Sequence, residues 1–363
     1  MTYDIAIIGA GCAGLSLAYQ ISKSNTDKKI VIIDSKTEFQ NDRTWSFWKT
    51  SEHDFEDCLE KQWFQFEIKN KNETKIFNQD QYPYQTINSL KFYQKIKNNL
   101  TENFDLKLGF QIKEVKKNSN IFEIKNNNEM INSKLIFDSR VPKIKAGNLY
   151  QHFYGTIIET RENYFDENKL TLMDFKQSKR GVHFFYILPF KNNQALIETT
   201  WLSNLEHLNK QSYVDELNQY IESDLGIKNF NIVREEIGAI PMFRRVSKNE
   251  PGYYDIGIRG NINRMSTGYA FPYIQAHSKI IAKSLNQLNF KKPISAKYEF
   301  LDQLFVKVLK NNISQMPDIF FKLFDQNNQE SVIKFLSSKG NWLDDIKVIS
   351  KMPKLLFLKN LLN

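Results

Sequence analysis

The stretch Tyr3–Gly14, YDIAIIGAGCAG, decides the fold. Its first half is mostly apolar and predicts a strand from Tyr3 to Ile8 that is buried on both faces and ends at Gly9. A helical segment, Leu15 to Ser22, and a second buried strand, KIVIID over Lys29 to Asp34, come next. The order of strand, glycine-rich turn, helix and strand predicts a βαβ unit at the start of a Rossmann-like lobe.

Gly9, Gly11 and Gly14 form the pattern G-x-G-x-x-G between the first strand and the helix. In this pattern the glycines permit a tight turn, close approach of a pyrophosphate and close packing of helix on strand. The pyrophosphate then lies at the helix N-terminus, and Asp34 stands where a carboxylate accepts the ribose hydroxyls. The alternative is a glycine-rich turn without a ligand, but an acid in register with the motif favours a dinucleotide site.

A second loop indicates which dinucleotide binds. The motif alone fits both NAD and FAD. The segment Asp255 to Gly268, followed by a helix over Tyr269 to Leu285, predicts a helix N-terminus near the flavin, where it stabilises negative charge on a reduced ring. The sequence therefore favours FAD.

Composition narrows the class of protein further. The chain has 363 residues, enough for about two lobes. Two cysteines and scattered histidines predict neither a disulfide framework nor a metal site. A net charge of +9 suits an anionic bilayer surface or nucleic acid, but its even spread favours solvated faces over nucleic-acid binding. Mean hydropathy of -0.50 and the lack of a long apolar run predict no transmembrane helix, and no signal peptide is expected.

The rest of the chain divides into three parts. A helix is predicted over Asn88 to Leu100, an antiparallel meander between Asp105 and Phe137, and the sheet of a second lobe between Tyr150 and Trp201. Ser203 to Glu206 resembles a capping box and predicts a helix from Asn204 to about Leu225. A discontinuous cofactor lobe is predicted at residues 1–60, 88–150 and 250–290. The substrate lobe is predicted at residues 61–87 and 151–249, and a helical C-terminal region at residues 291–363.

Several short motifs occur in a characteristic order: TWSF at 44–47, FDSR at 137–140, FYILP at 185–189, LIETT at 196–200, GAIP at 238–241, RG at 259–260, TGY at 267–269 and FLD at 300–302. On these motifs the chain resembles the bacterial lycopene cyclases over nearly its whole length. Two positions depart from the family pattern. Arg43 stands where relatives often carry histidine, and Asn261 follows Gly260 where the cyclases commonly have a second glycine.

The resemblance implies an α/β, two-lobed FAD-dependent fold with a Rossmann-like lobe and a mostly antiparallel substrate sheet. It implies that lycopene or a related linear carotenoid is cyclised to β rings by proton addition without net redox change, on reduced FAD with NAD(P)H as electron donor. A substrate dissolved in the bilayer implies a cytoplasmic protein held at the inner face of the cell membrane. The residues expected to bind the cofactor are Gly9, Gly11, Gly14, Asp34, Asp138, Arg140, Gly260, Asn261 and Gly268.

Glu198 is the predicted general acid, at the position of the family's catalytic glutamate. Strand alternation places Leu196, Glu198 and Thr200 on one face. A carboxyl that is desolvated there keeps its proton near neutral pH. The competing interpretation is the solvated face of an ordinary sheet.

The predicted pocket walls are aromatic, because ring faces stabilise a desolvated cation without trapping it. They are Trp45, Phe47, Phe185, Tyr186 and Tyr269. Plain core packing explains any one of these side chains equally well. The C-terminal segment Pro353 to Leu362 fits either an amphipathic helix at a membrane surface or a helix docked on the core.

Two other functions fit the same fold. A hydroxylase or isoprenoid reductase would consume NAD(P)H in proportion to product, whereas a cyclase would not. A flavin- or carotenoid-binding protein without catalysis would bind pigment and leave lycopene unchanged.

Overall fold

A computed structural model describes residues 2–24, 26–141, 143–145, 147–205, 209–246 and 250–362. Their strands are β1 (Thr2–Ile8), β2 (Ile30–Ile33), β3 (Thr44–Trp48), β4 (Leu59–Trp63), β5 (Gln65–Lys69), β6 (Thr74–Asn78), β7 (Tyr84–Asn88), β8 (Phe104–Lys107), β9 (Glu114–Asn118), β10 (Ile121–Lys125), β11 (Met130–Asp138), β12 (Tyr150–Glu159), β13 (Lys169–Lys176), β14 (Val182–Lys191), β15 (Gln194–Ser203), β16 (Asn231–Pro241) and β17 (Tyr253–Asp255). Their α-helices are α1 (Cys12–Ser22), α2 (Ser89–Asn98), α3 (Lys210–Ser223), α4 (Phe271–Lys283), α5 (Ala296–Asn311), α6 (Met316–Asp325), α7 (Gln329–Leu336), α8 (Trp342–Ser350) and α9 (Lys354–Leu362).

The first sheet has the order β8-β2-β1-β11-β10-β9, and β17 also pairs with β11. Strands β8, β2, β1, β11 and β17 run parallel. The apolar runs of β1 and β2 are buried on both faces, as parallel strands with packed faces should be. Helices α1 and α4 pack against this sheet and against each other.

The predicted meander is only partly correct. Strands β9, β10 and β11 are antiparallel neighbours, as expected. Residues 104–107, however, form β8, which lies parallel to β2 at the sheet edge. The physical reason is the crossover through α2, which returns the chain in the same direction as β2.

The second sheet has the order β16-β12-β15-β14-β13-β5-β6 and is antiparallel except between β13 and β5. Strands β14 and β15 form a hairpin, in which Lys191 pairs with Gln194. Helix α3 covers one face of this sheet, and the C-terminal helices pack on the other face. A third, small sheet has the order β3-β7-β4. The domain boundaries expected from the sequence stay predictions.

The helix predicted from Asn204 begins later than expected. Ser203 is the last residue of β15, and its hydroxyl lies 2.7 Å from Nε2 of His152. Glu206 lies outside the described residues. Helix α3 begins later, where the Asn209 side chain accepts from the backbone N–H of Ser212. Pairing of Ser203 with Tyr150 extends the sheet and prevails over the local cap signal.

The C-terminal region is helical, as predicted. Its phenylalanines divide between two environments: Phe321 and Phe324 are buried in the core, whereas Phe300 is 52% exposed. Helix α9 docks on α5, where the side chains of Asn311 and Asn360 form a hydrogen bond. None of the helices in the described ranges is both long and apolar enough to cross a bilayer.

Candidate active site

A cavity of about 860 Å³ lies between the two large sheets. The turn after β1 and the end of β2 line it from one lobe. Alternate residues of β14 and β15 line it from the other lobe, and apolar residues of α6 complete the wall. A cavity of this volume is large enough for a small organic ligand or cofactor.

The turn after β1 suits a dinucleotide. Gly9 adopts φ +99°, which favours glycine, and a side chain at Gly14 would begin 1.8 Å from the Gly9 carbonyl oxygen. Gly11 lines the cavity, and a Cβ atom on this residue would meet no other atom within 4 Å. Gly11 is also the N-cap residue of α1, so no side chain caps this helix N-terminus. The N-terminus of α1, which has no side-chain cap, is therefore suited to bind a phosphate.

Asp34 lies at the cavity wall as predicted. Its carboxylate accepts from the backbone N–H groups of Ala10 (2.5 Å) and Lys36 (2.8 Å), which fix its position beside the turn. The residues present thus fit the diphosphate and ribose of a dinucleotide. No group of three or more possible metal ligands occurs in the described part of the chain.

Asp138, which is expected to bind the cofactor, lies behind the cavity wall. Its carboxyl group is fully buried and accepts from Arg140 and Tyr253, with Arg259 at 3.3 Å. Burial raises its pKa, but Arg140 and the other partners overcome this effect and hold the pKa below its usual value. Asp138 therefore positions Arg140, which lines the cavity.

The second predicted loop contributes only in part. Gly268 and Tyr269 line the cavity, together with the uncapped start of α4. Gly260 and Asn261 lie outside the lining of this cavity, so their binding of the cofactor stays a prediction. The Asn261 side chain instead bonds the backbone N–H and carbonyl of Arg245, at 2.9 Å each. An asparagine fits there because its backbone is left-handed, with φ +60°.

Glu198 lies in the cavity wall with Leu196 and Thr200, so the predicted alternation is confirmed. Its side chain is only 8% exposed, which excludes the solvated-face interpretation. Burial raises the pKa of Glu198 to about 8; the carboxylate of Glu236 adds to this effect, and the Thr200 hydroxyl, which donates at 2.7 Å, opposes it. Glu198 therefore holds a proton at neutral pH.

Three of the five predicted aromatic walls line the cavity: Trp45, Tyr186 and Tyr269. Phe185 does not, because successive residues of a strand point to opposite faces; it stacks on Tyr220 of α3 with ring centroids 3.7 Å apart. Phe47 also lies behind the wall, stacked at 4.9 Å on Phe271.

Sequence reasoning missed a second carboxyl group in the cavity wall, Glu236 of β16. Burial raises its pKa, while Arg234 and the Thr44 hydroxyl act in the opposite direction. Arg234 lies 3.2 Å away, and Thr44 donates at 3.0 Å. The only local signal was the pair Glu235-Glu236, which does not reveal which of the two faces inward.

Fold and cavity together define a two-lobed α/β architecture of the flavoprotein type, with a turn that suits a dinucleotide. The confirmed fold class is that of a geranylgeranyl bacteriochlorophyll reductase-like protein from Thermoplasma acidophilum, with TM-score 0.66, 13% identity and coverage of 99% of this chain and 98% of that one. The flavin-dependent brominase Bmp2 gives TM-score 0.66 at 15% identity, covering 93% of each chain. At such identities the likeness concerns the fold alone.

The chain belongs to the lycopene cyclase protein family, whose model matches residues 4–361. It is 26% identical over 310 residues to a chloroplastic neoxanthin synthase of Solanum lycopersicum. It is 27% identical over 310 residues to the lycopene beta cyclase of Capsicum annuum. Each match covers 78% of this chain, which spans about 60% of the length of those relatives.

Proposed function

We propose that this chain binds FAD in the cavity and, with the flavin reduced, cyclises lycopene or a related linear carotenoid to β-carotene or γ-carotene. The observation that carries the proposal is Glu198, a buried carboxyl that keeps its proton in the cavity wall. Membership of the lycopene cyclase protein family supports the substrate class.

The residues that would hold FAD are the Gly9–Gly11 turn and the start of α1 for the diphosphate, and Asp34 for the ribose. Arg140 and the segment at Gly268 line the same cavity. When bound and reduced, with NAD(P)H as the electron source, the flavin supplies negative charge that stabilises a nearby cation.

The protein's own groups supply the proton and the dry, π-rich surface. Glu198 gives its proton to the terminal double bond and leaves a tertiary cation, which the neighbouring double bond attacks to close the ring. Tyr186 pairs directly across from Glu198, and Trp45 and Tyr269 line the same cavity. Aromatic faces of this kind stabilise a desolvated cation by about 2 kcal/mol.

Expression in a lycopene-accumulating bacterium, with chromatography and mass spectrometry of the pigments, tests the proposal. The expected product has the mass of lycopene and a cyclic end group, and NAD(P)H is not consumed in proportion to it. A hydroxylated or hydrogenated product would indicate a redox enzyme, and unchanged lycopene a binding protein; either result contradicts the proposal.

We also propose that the protein lies at the inner, cytoplasmic face of the cell membrane and binds it through α8 and α9. On α8, Trp342 is 68% and Leu343 71% exposed, and on α9 Leu355 is 84% exposed. Lysines stand in or beside these two helices at 339, 347, 351, 354 and 359. Exposed apolar side chains on helices that also carry lysines suit an anionic bilayer surface.

Sedimentation with vesicles tests the membrane proposal. Wild-type protein should bind vesicles of phosphatidylserine and phosphatidylcholine, and Trp342→Ser with Leu355→Ser should reduce binding several-fold. The control Ile232→Ser changes an exposed apolar residue on β16 and should bind as wild type does. Equal binding by all three proteins would rule out this surface.

A further inference from the structure

Glu198 and Glu236 flank a glycine in the middle of the second sheet. Gly155 of β12 pairs with Glu198 of β15 on one side and with Glu236 of β16 on the other. Residues paired across adjacent strands point to the same face, so both carboxyl groups face the cavity. A side chain at Gly155 would begin 3.2 Å from Cβ and 3.3 Å from Cγ of Glu198, so the Glu198 side chain leans over the glycine.

The two carboxyl groups have opposite electrostatic surroundings. Arg234 lies 3.2 Å from Oε2 of Glu236, and Thr44 donates to the same oxygen. Burial raises the pKa of Glu236, and Arg234, Thr44 and Arg43 all oppose this rise. No cation contributes near Glu198, which faces Tyr186 and the hydroxyl of Thr200 within the described residues. When two carboxyl groups share one site, the one beside a cation ionises first.

From this juxtaposition we infer that Glu236 is the base that removes the ring proton and ends the cyclisation, an inference that rests on the proposed function. After ring closure the positive charge lies on a ring carbon. A neighbouring ring C–H bond breaks, its electron pair becomes the ring double bond, and its proton passes to the Glu236 carboxylate. Glu198 has lost one proton and Glu236 has gained one, so exchange of one proton each with solvent restores both groups.

A wall that carries acid and base together also explains two details of the sheet. Glycine at 155 lets the side chain of Glu198 lean across β12, on the side where Glu236 also lies. Arg234 donates to the carbonyl oxygen of Asn41 in the first lobe at 2.9 Å, so the cation beside Glu236 is held in place.

The variant Glu236→Gln keeps the size and polarity of the side chain but cannot accept the proton. We expect β-ring product to form about 100-fold more slowly, the usual loss on removal of a general base. Because the cation then persists, product should shift to rings with a displaced double bond or to a hydrated carotenoid. Glu198→Gln, by contrast, should return unchanged lycopene.

The pH dependence of activity is a second measurement, and it would not change if Glu236 had only a structural role. In the wild type, activity should rise as Glu236 ionises and fall as Glu198 loses its proton near pH 8. In Glu236→Gln the acidic limb should disappear, and the alkaline limb should move to lower pH because a negative neighbour of Glu198 is gone. The control Glu235→Gln alters the adjacent residue, which pairs with Lys210, and should retain the wild-type profile and product.

If Glu236→Gln does not fold, Arg234→Gln tests the same inference. Loss of the guanidinium should raise the pKa of Glu236 and move the acidic limb to higher pH. Wild-type product at a wild-type rate from Glu236→Gln, or an unmoved acidic limb in Arg234→Gln, would overturn the inference. Because these tests compare variants with an active wild type, their failure is distinct from failure of the proposed function, which would leave the wild type itself inactive on lycopene.

Discussion

At the scale of single residues, the protein keeps an acid protonated by withholding water from it. Among the described residues, Glu198 has Thr200 as its hydrogen-bond donor and Glu236 as a carboxylate neighbour. Both burial and the neighbour penalise the ionised form. The protonated state that the proposed reaction needs costs folding stability, because the unfolded chain would ionise this group freely above about pH 5.

This cost predicts that Glu198→Gln stabilises the folded protein at alkaline pH. The folded pKa of about 8 lies above that of an unfolded glutamate, so the folded state binds more protons between these values and stability falls as pH rises through this window. Replacing the group by a neutral amide should raise the free energy of unfolding by roughly 2–5 kcal/mol at pH 8, and by little at pH 4. Urea denaturation at both pH values measures the difference.

Glu235→Gln is the control for this prediction. Tyr154 and Lys210 lower the pKa of Glu235, so its ionised form stabilises the fold and the sign of the effect is reversed. A Glu198→Gln variant that loses stability at pH 8 as Glu235→Gln does would contradict the protonated state of Glu198.

Residues whose role depends on local chain geometry could be predicted from the sequence. The glycines and Asp34 fall within one βαβ unit, where spacing predicts their placement. Strand alternation places Glu198 on one face with Leu196 and Thr200, but its assignment as an acid comes from the family resemblance. Glu236 could not be predicted, because its position beside Glu198 depends on how β12 registers with two distant strands. The same holds for Asn261, whose partner Arg245 comes from a separate loop.

At the scale of elements, alternation along β14 separates core from cavity. Phe184 and Tyr186 line the cavity, and Phe185 between them packs under α3. Both Phe185 and Tyr186, which are adjacent in the motif FYILP, are predicted from the sequence to lie in the pocket wall. Adjacent side chains of a strand point to opposite faces, so only one of the two can line the cavity. The sequence does not show which face of β14 lines the cavity, because both faces are buried and carry mostly apolar or aromatic side chains.

The alternation predicts opposite phenotypes for two adjacent substitutions. Phe185→Ala removes a buried ring that stacks on Tyr220 and should lower the free energy of unfolding by about 3–5 kcal/mol, with product identity unchanged. Tyr186→Phe removes only the hydroxyl that lies 3.0 Å from that of Tyr84 and should cost about 1 kcal/mol while changing the rate of cyclisation. Chemical denaturation and product analysis of both variants check this. Equal effects on rate would place both side chains in the cavity.

At the scale of the whole molecule, a buried ion pair joins the cavity wall to the C-terminal helices. Arg264 and Asp302 are each 1% exposed and 2.7 Å apart. Asp302 also accepts from Met265 and Ser266, and Arg264 donates to carbonyl groups at the end of α7. The loop that carries Gly268 is therefore fixed by α5 and α7, which gives the aspartate of the FLD motif a structural role.

Asp302→Asn should destabilise the whole protein. It leaves a buried guanidinium without its counter-charge, at a cost of about 3–5 kcal/mol. The control Asp325→Asn breaks the exposed pair with Lys75 and should cost less than about 1 kcal/mol. The urea midpoints of the two variants measure the difference in stability. Similar midpoints would show that the buried pair does not stabilise the contact between the Gly268 loop and the C-terminal helices.

Proton donation by Glu198 to a carbon–carbon double bond is the central claim, and one measurement tests it most directly. Purified protein with reduced FAD is given lycopene in D₂O, and the product is analysed by mass spectrometry. The expected result is a cyclic carotenoid carrying one deuterium per ring and no added oxygen, and no such product from Glu198→Gln. Cyclic product without deuterium, or equal labelled product from Glu198→Gln, would contradict the claim.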